Sequence, residues 1–296
     1  MIKLNLFKTF ANKFLIFIYI LILIFCIYLY KFVPLSKIII TNNKVLTDWP
    51  YNPKGCFDFL AQIDTCVLNK KLNNIILFGD SHAGQLVFGF EDLKNGSLHN
   101  NQFNLVFLTG SLFSTDWPLI DKNMKKKISK IKKILSKSSQ KDIIVFALKS
   151  RRIEETSYNL LTGENRLRES LSKILVQIFS TDEIKARIVL MLDTPYPKFN
   201  VARICSNKDN KIKSICLLDK DYYISQNKLL KNAYIDAIQN SNILKMNSII
   251  YDPSDLFYYS KKYSLYDESG YMLIDGNHIK ASVSKKLITE LMRNEF

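Results

Sequence analysis

Histidine is scarce in this chain of 296 residues: only His82, His99 and His278 are present. Any chemistry that needs an imidazole therefore has three positions to draw on. Cysteine is scarce too, with five residues, none in CxxC spacing and none beside a histidine. That argues against a zinc site, and neither metal nor cofactor is expected. Internal repeats and long low-complexity segments are absent, which excludes a repeat array. Lysine and arginine (42) outnumber aspartate and glutamate (27), for a formal net charge of +15. The charge comes without a nucleic-acid recognition motif, and the lysines are scattered through a chain rich in Ile and Asn, so nucleic acid is not an expected partner.

What the N-terminus does contain is an unbroken apolar and aromatic run from Phe14 to Tyr30, extended by Phe32 and Val33 beyond Lys31. It is long enough to span a bilayer. Lys3, Lys8 and Lys13 precede it with no acidic residue among them, which orients the N-terminus to the cytoplasm and the rest of the chain outside. No small-x-small cleavage site follows, and bulky Phe25 precedes Cys26, so an uncleaved signal anchor is expected. The expected organisation is a cytoplasmic N-terminus (1–13), a transmembrane anchor (14–33), a linker and lead-in containing Pro50 and Pro53 (34–73), and a periplasmic or extracellular domain (74–296). The cysteines agree with that compartment. Cys26 lies in the span, and the others form two close pairs, Cys56/Cys66 and Cys205/Cys216. An even number of exported cysteines reads as disulfides. Local pairing is the simplest of the three connectivities open to four cysteines.

Beyond the lead-in, short apolar runs alternate with longer helical patterns. The runs are Asn74–Phe78, Phe103–Leu108, Asp142–Leu148, Arg187–Leu192 and Ser248–Tyr251. Lys122 to Lys137 carries Met124, Ile128, Ile131 and Leu135 on one face and lysines on the others, an amphipathic helix with a solvated basic face. Arg166–Ser180, Asp221–Asn240 and Ile279–Arg293 are further helical segments. Such alternation predicts an α/β domain, a parallel sheet covered on both faces in a three-layer, flavodoxin-like arrangement. Ligands bind such sheets at the C-terminal ends of the strands. Ser81, Thr109-Gly110, Lys149-Ser150 and Asp193 all follow strand segments and share that rim.

The segment Gly79-Asp80-Ser81-His82 ends the first apolar run, and a helix-compatible run, Ala83–Asp92, follows at once. A serine at a strand-to-helix turn suits a nucleophile, because backbone donors there can hold an oxyanion. Its general base must be a histidine. His278 lies just before the last helix, and Asp275 is near enough in sequence to bond its Nδ1–H and fix the tautomer. His82 would open the helix, with a role in packing or hydrogen bonding, and His99 sits in a polar Asn-rich loop. GDS or DxxH alone is weak, but GDSH directly after an apolar strand, combined with DxxH before a terminal helix, is a specific constellation.

From Gly55 to the C-terminus the chain resembles the SGNH (GDSL-like) hydrolase superfamily. It is most similar to the SGNH domains fused to, or partnered with, membrane acyltransferases of the acyltransferase-3 class. The resemblance rests on GDSHA with a cysteine pair upstream (Cys56 and Cys66), FALKSRR (146–152), DTPYPKFNVARIC (193–205), YDPSDLF (251–257) and LIDGNHIKASVSKKL (273–287). It implies the SGNH fold, Ser81 as nucleophile, His278 as base and Asp275 as its orienting acid. It also implies oxyanion donors from the Ser81 N–H and from Gly110. The superfamily's further donor, the asparagine of a GxND motif, is missing, and the equivalent stretch reads ALKSRR. Losing one such donor can cost roughly 3–4 kcal/mol of transition-state stabilisation, so Lys149 or Arg151 is the candidate replacement.

The implied function is a membrane-anchored serine enzyme that acts on O-acyl groups, acetyl in the first instance, of an extracytoplasmic glycan. Hydrolase and transferase share the formation of an acyl-serine. Outside the cytoplasm there is no coenzyme A pool, so a transferase needs an acyl donor delivered by a polytopic membrane acyltransferase, and tethering raises the local concentration at the donor exit. The transferase is the leading expectation and a stand-alone O-acetyl esterase the alternative. A plant-type polysaccharide acetyltransferase fits less well, because Ile279-Lys280 follow the histidine in place of tryptophan and cysteine. A non-catalytic tethered glycan-binding module is the expectation from a different class, opposed by the intact Ser81, Asp275 and His278.

Overall fold

Ile75, Ile76, Leu77 and Phe78 form a continuous apolar run because both faces of their strand are covered, and all four are buried. The computed structural model describes residues 68–69, 71–95, 103–109, 122–150, 164–197, 205, 216–259, 262–267, 270–274 and 277–295. Five parallel strands make the central sheet: β1 (Asn73–Gly79), β2 (Phe103–Thr109), β3 (Ile143–Ala147), β4 (Arg187–Met191) and β6 (Ser248–Tyr251). Their order is β2-β1-β3-β4-β6, all parallel neighbours. Such a doubly wound sheet opens a crevice where the strand order reverses, here at the C-terminal end of β1, between β2 and β3.

Alternate residues of each strand point to opposite faces, and the two faces build separate cores. Ile76, Phe78, Ile144, Phe146, Ile188 and Leu190 pack against α3 (Lys122–Leu135), α4 (Glu164–Ile178), α5 (Lys220–Gln239) and α6 (Asn242–Asn247). Ile75, Leu77, Ile143, Val145, Val189 and Met191 pack against α1 (Ser81–Gly84), α2 (Val87–Asn95) and α7 (Ala281–Glu295). This is the expected three-layer α/β arrangement. Burying each large aliphatic side chain contributes about 1.5–3 kcal/mol, so the strands need no polar decoration.

The five strand segments and the four later helical segments appear within two residues of their expected bounds. Two details differ. The run after Ser81 is not one helix, because the chain turns at Gln85-Leu86 and restarts as α2. Small antiparallel strands are added: β5 (Leu217–Leu218), β7 (Tyr258–Tyr259) and β8 (Lys262–Ser264) in one sheet, β9 (Tyr266–Asp267) and β10 (Gly270–Tyr271) in another. Elements of two or three residues carry no readable period. The anchor segment (14–33), Cys56, Cys66, His99 and the Met124 side chain lie outside the described residues. Among the described residues no helix is long and apolar enough to cross a membrane. Cys205 and Cys216 are joined in a fully buried disulfide, the local pairing.

Candidate active site

Gly79 ends β1 with φ +148, and a Cβ there would drive into the carbonyl of Ala147 on the neighbouring strand. Only glycine allows that approach together with that backbone angle. The chain can then turn sharply enough for Asp80 to cap α1: its Oδ1 accepts from the His82 N–H at 2.8 Å, and its carbonyl accepts from Ala83 (3.1 Å) and Gly84 (3.2 Å). Its second carboxylate oxygen accepts from the Lys149 N–H at 3.2 Å. The N–H groups of His82, Ala83 and Gly84 are therefore all committed to Asp80. Ser81 is exposed at the crevice.

His278 reaches Ser81 from the far end of the chain, with Nε2 2.9 Å from Oγ, a hydrogen-bonding distance for a nucleophile and its base. The loop that carries it is closed at its base. Leu273 and Ile279 form an antiparallel bridge, and the Ile274 N–H donates to the His278 carbonyl at 2.8 Å. The Ile279 N–H donates to the buried Oε1 of Gln85, also at 2.8 Å, so the loop is pinned to the segment that follows Ser81. Behind it, α7 lies against α2. Gly89 brings the two helices close enough for its N–H to donate to Ser284 Oγ at 3.1 Å.

Asp275, the expected orienting acid, and Gly110, the expected second oxyanion donor, lie outside the described residues, as does Arg151. Lys149 is partly buried, and its backbone is tied to Asp80. Ser150, next in the stretch that replaces GxND, turns both its N–H (2.8 Å) and its hydroxyl (3.2 Å) to Asp193 Oδ2. The end of β3 thus holds carboxylates with its backbone rather than offering an asparagine.

From sequence, His82 is expected only to pack or hydrogen-bond and Asp193 only to lie on the rim. The structure joins them. His82 Nδ1 lies 2.6 Å from Asp193 Oδ1, and both side chains are essentially inaccessible. His82 Nε2 lies 2.8 Å from Asn277 Nδ2. Burial by itself pushes the imidazole pKa down, but the charge and hydrogen bond of Asp193, helped by Asp80, hold it above the ordinary histidine value against the opposing pull of Lys149. Asp193 is seated in turn by its own backbone: its N–H donates to Asn227 Oδ1 at 2.9 Å, and the Asn227 amide returns a bond to its carbonyl at 3.2 Å. No local pattern announces the pair, since its members are 111 residues apart. Among the described residues, no group of three or more His, Cys, Asp or Glu side chains is arranged to hold a metal ion.

Comparison with known proteins accords with this architecture. No curated protein matches the chain. Among solved structures, the periplasmic domain of a lipopolysaccharide acetyltransferase from Salmonella ser. Paratyphi A superposes with a TM-score of 0.50 at 16% identity, covering 79% of this chain and 88% of that one. A carbohydrate acetylesterase from Sinorhizobium meliloti covers 75% of this chain and 97% of its own at 13% identity, with a TM-score of 0.38. The family model described as SGNH domain (fused to AT3 domains) matches residues 51–293. With that match over most of its length, and a serine and histidine meeting at the end of β1, the chain belongs to the SGNH domain family and is an acyl-ester enzyme.

Proposed function

We propose that this protein is a membrane-anchored O-acyltransferase that moves acyl groups, acetyl first among them, onto an extracytoplasmic glycan through an acyl-serine. The observation that carries the chemistry is the 2.9 Å contact between Ser81 Oγ and His278 Nε2 at the switch point of the sheet. In the first half-reaction Ser81 Oγ attacks the carbonyl carbon of the donor ester while its proton passes to His278 Nε2. The bond between the carbonyl carbon and the donor oxygen breaks, and His278 returns the proton to that leaving oxygen. In the second half-reaction a sugar hydroxyl gives its proton to His278, attacks the acyl-serine and releases Ser81, which is reprotonated by His278. Asp275 orients His278, and the Ser81 and Gly110 N–H groups receive the oxyanion.

Three things support the transferase reading. The family is described as fused to AT3 domains, which fits a membrane acyltransferase as the acyl source. The apolar run at 14–33 would hold the domain beside such a partner. The same fold serves the periplasmic domain of a lipopolysaccharide acetyltransferase, and the glycan acceptor is carried over from it as part of the proposal.

The test is to purify the full chain in detergent and offer an activated acetyl ester, comparing wild type with Ser81→Ala. Turnover that is present in the wild type and lost in the variant is expected, and equal background in both would sink the reading. In cells, loss of the gene is expected to deplete acetylated surface glycan. A gain of acetylation on deletion would instead identify a stand-alone esterase.

A further inference from the structure

Ser81 and His278 each have a neighbour in sequence, His82 and Asn277, and those neighbours also meet. Two contacts therefore run side by side, Ser81 Oγ to His278 Nε2 at 2.9 Å and His82 Nε2 to Asn277 Nδ2 at 2.8 Å. The rings of His82 and His278 lie 5.0 Å apart. Behind His82, Asp193 holds Nδ1, and behind Asp193 stand the N–H and hydroxyl of Ser150. Tyr196 closes this side, its hydroxyl 3.2 Å from Ser150 Oγ.

Resting on the serine-enzyme reading above, we propose that His82, Asp193 and Asn277 form a buried positioning relay that sets the distance between nucleophile and base. Asp193 accepts the Nδ1 proton of His82 and so fixes the ring. The neutral ring then presents Nε2 as an acceptor to the Asn277 amide, and that bond holds the backbone one residue from His278. His82 touches no reacting atom, so it acts through Asn277. Among the described residues, the charged groups around the ring are Asp193 and Asp80 on one sign and Lys149 on the other, with His278 and Tyr196 as its aromatic neighbours. The Nδ1–H reaches Asp193 whether the ring is neutral or protonated. Protonation changes only the Nε2 side, where Asn277 must rotate its amide to offer oxygen.

The two nitrogens of His82 can be tested apart. An asparagine amide nitrogen falls near the place of imidazole Nδ1, and a glutamine amide nitrogen near that of Nε2. His82→Asn therefore keeps a donor for Asp193 and loses Asn277, whereas His82→Gln keeps a partner for Asn277, which must turn its amide oxygen toward the glutamine NH2, and takes the ring donor away from Asp193, leaving it the Ser150 and Thr194 donors. In the full chain, Asn277→Ala and His82→Asn are each expected to lower kcat by tenfold or more, up to about 100-fold, with KM within twofold and little change in Tm. Their double variant is expected to lose no more than the worse single one. His82→Gln is expected to keep more activity than His82→Asn while losing more thermal stability.

Wild-type kcat in Asn277→Ala, or losses that multiply in the double variant, would overturn the relay. Ser81→Ala run beside them separates this from the functional reading. Should wild-type turnover prove independent of Ser81, the relay is read from the ¹⁵N-histidine spectrum. There Asn277→Ala must shift the signals of His278 as well as those of His82, and an unmoved His278 overturns it.

Discussion

The amide of Gly89 donates to the hydroxyl of Ser284 at 3.1 Å, across 195 residues of chain. A nearly equal offset recurs along the seam: Asn277 meets His82 at a separation of 195, Ile279 meets Gln85 at 194 and His278 meets Ser81 at 197. Two distant segments thus run side by side, and the contact between Ser81 and His278 stands at one end of that seam. The position of His278 is a consequence of how α7 seats on α2.

Gly89 is the tightest point of the seam and the best place to test this. A Cβ there would lie 2.5 Å from both Ile288 Cγ1 and the Ser284 carbonyl oxygen, closer than real packing allows. The Ser284 oxygen is backbone in a helix, so α7 itself must move. Gly89→Ala is expected to cost about 1–3 kcal/mol, as overpacking does, and to lower kcat by withdrawing His278 from Ser81. Denaturant unfolding and steady-state kinetics on the same preparation check it. A variant that loses stability and keeps full kcat would uncouple the seam from the site.

Much of this arrangement was legible before the structure. The five strands were readable because parallel strands buried on both faces are written as bare apolar runs. Ser81 and His278 were readable because each stands at an edge of an element, at the end of β1 and before α7. The seam was not readable. Gln85 falls inside an apparently continuous helical run, and its use as an acceptor for Ile279 depends on a turn that no residue nearby announces. His82 and Asp193 sit at the ends of different strands, and only the β1-β3-β4 order makes them neighbours. Buried polar pairs leave no periodic trace, because their partner is set by topology rather than spacing.

Asp275 provides a second prediction, since it stands three residues before His278. If it accepts the Nδ1–H of His278, Asp275→Asn is expected to lower kcat by on the order of 10⁴-fold, the scale seen when a triad loses its acid and the tautomer with it. The variant should fold normally, as judged by its Tm. Combining it with His278→Gln should add little, because the two would act as one unit. Near-normal turnover in Asp275→Asn would mean that another group orients His278.

The disulfide yields a prediction outside the site. Cys205 and Cys216 close an 11-residue separation and are both fully buried. In the chain-entropy account such a loop contributes about 2–3 kcal/mol. A Cys205→Ser, Cys216→Ser variant is expected to lose that much in denaturant unfolding. It should keep its kcat below the transition, because no described contact links either cysteine to Ser81 or His278. Loss of activity without loss of stability would point to a role for this loop in holding substrate.

The pH dependence of stability follows from His82. Its folded pKa lies above the ordinary value: burial lowers it, and the charge and hydrogen bond of Asp193 more than offset that. A raised folded pKa means that the native state binds the proton more tightly than the unfolded chain. The resulting stabilisation is full below the unfolded value of about 6.5 and is lost as pH rises through the folded value. The difference in Tm between wild type and His82→Gln, which lacks the titrating ring, should therefore be largest in mild acid and shrink above that window. Adding Asp193→Asn to wild type should remove most of the same dependence, because it removes the group that raises the pKa. If the gap between wild type and His82→Gln widened with rising pH, burial rather than Asp193 would dominate the environment of His82.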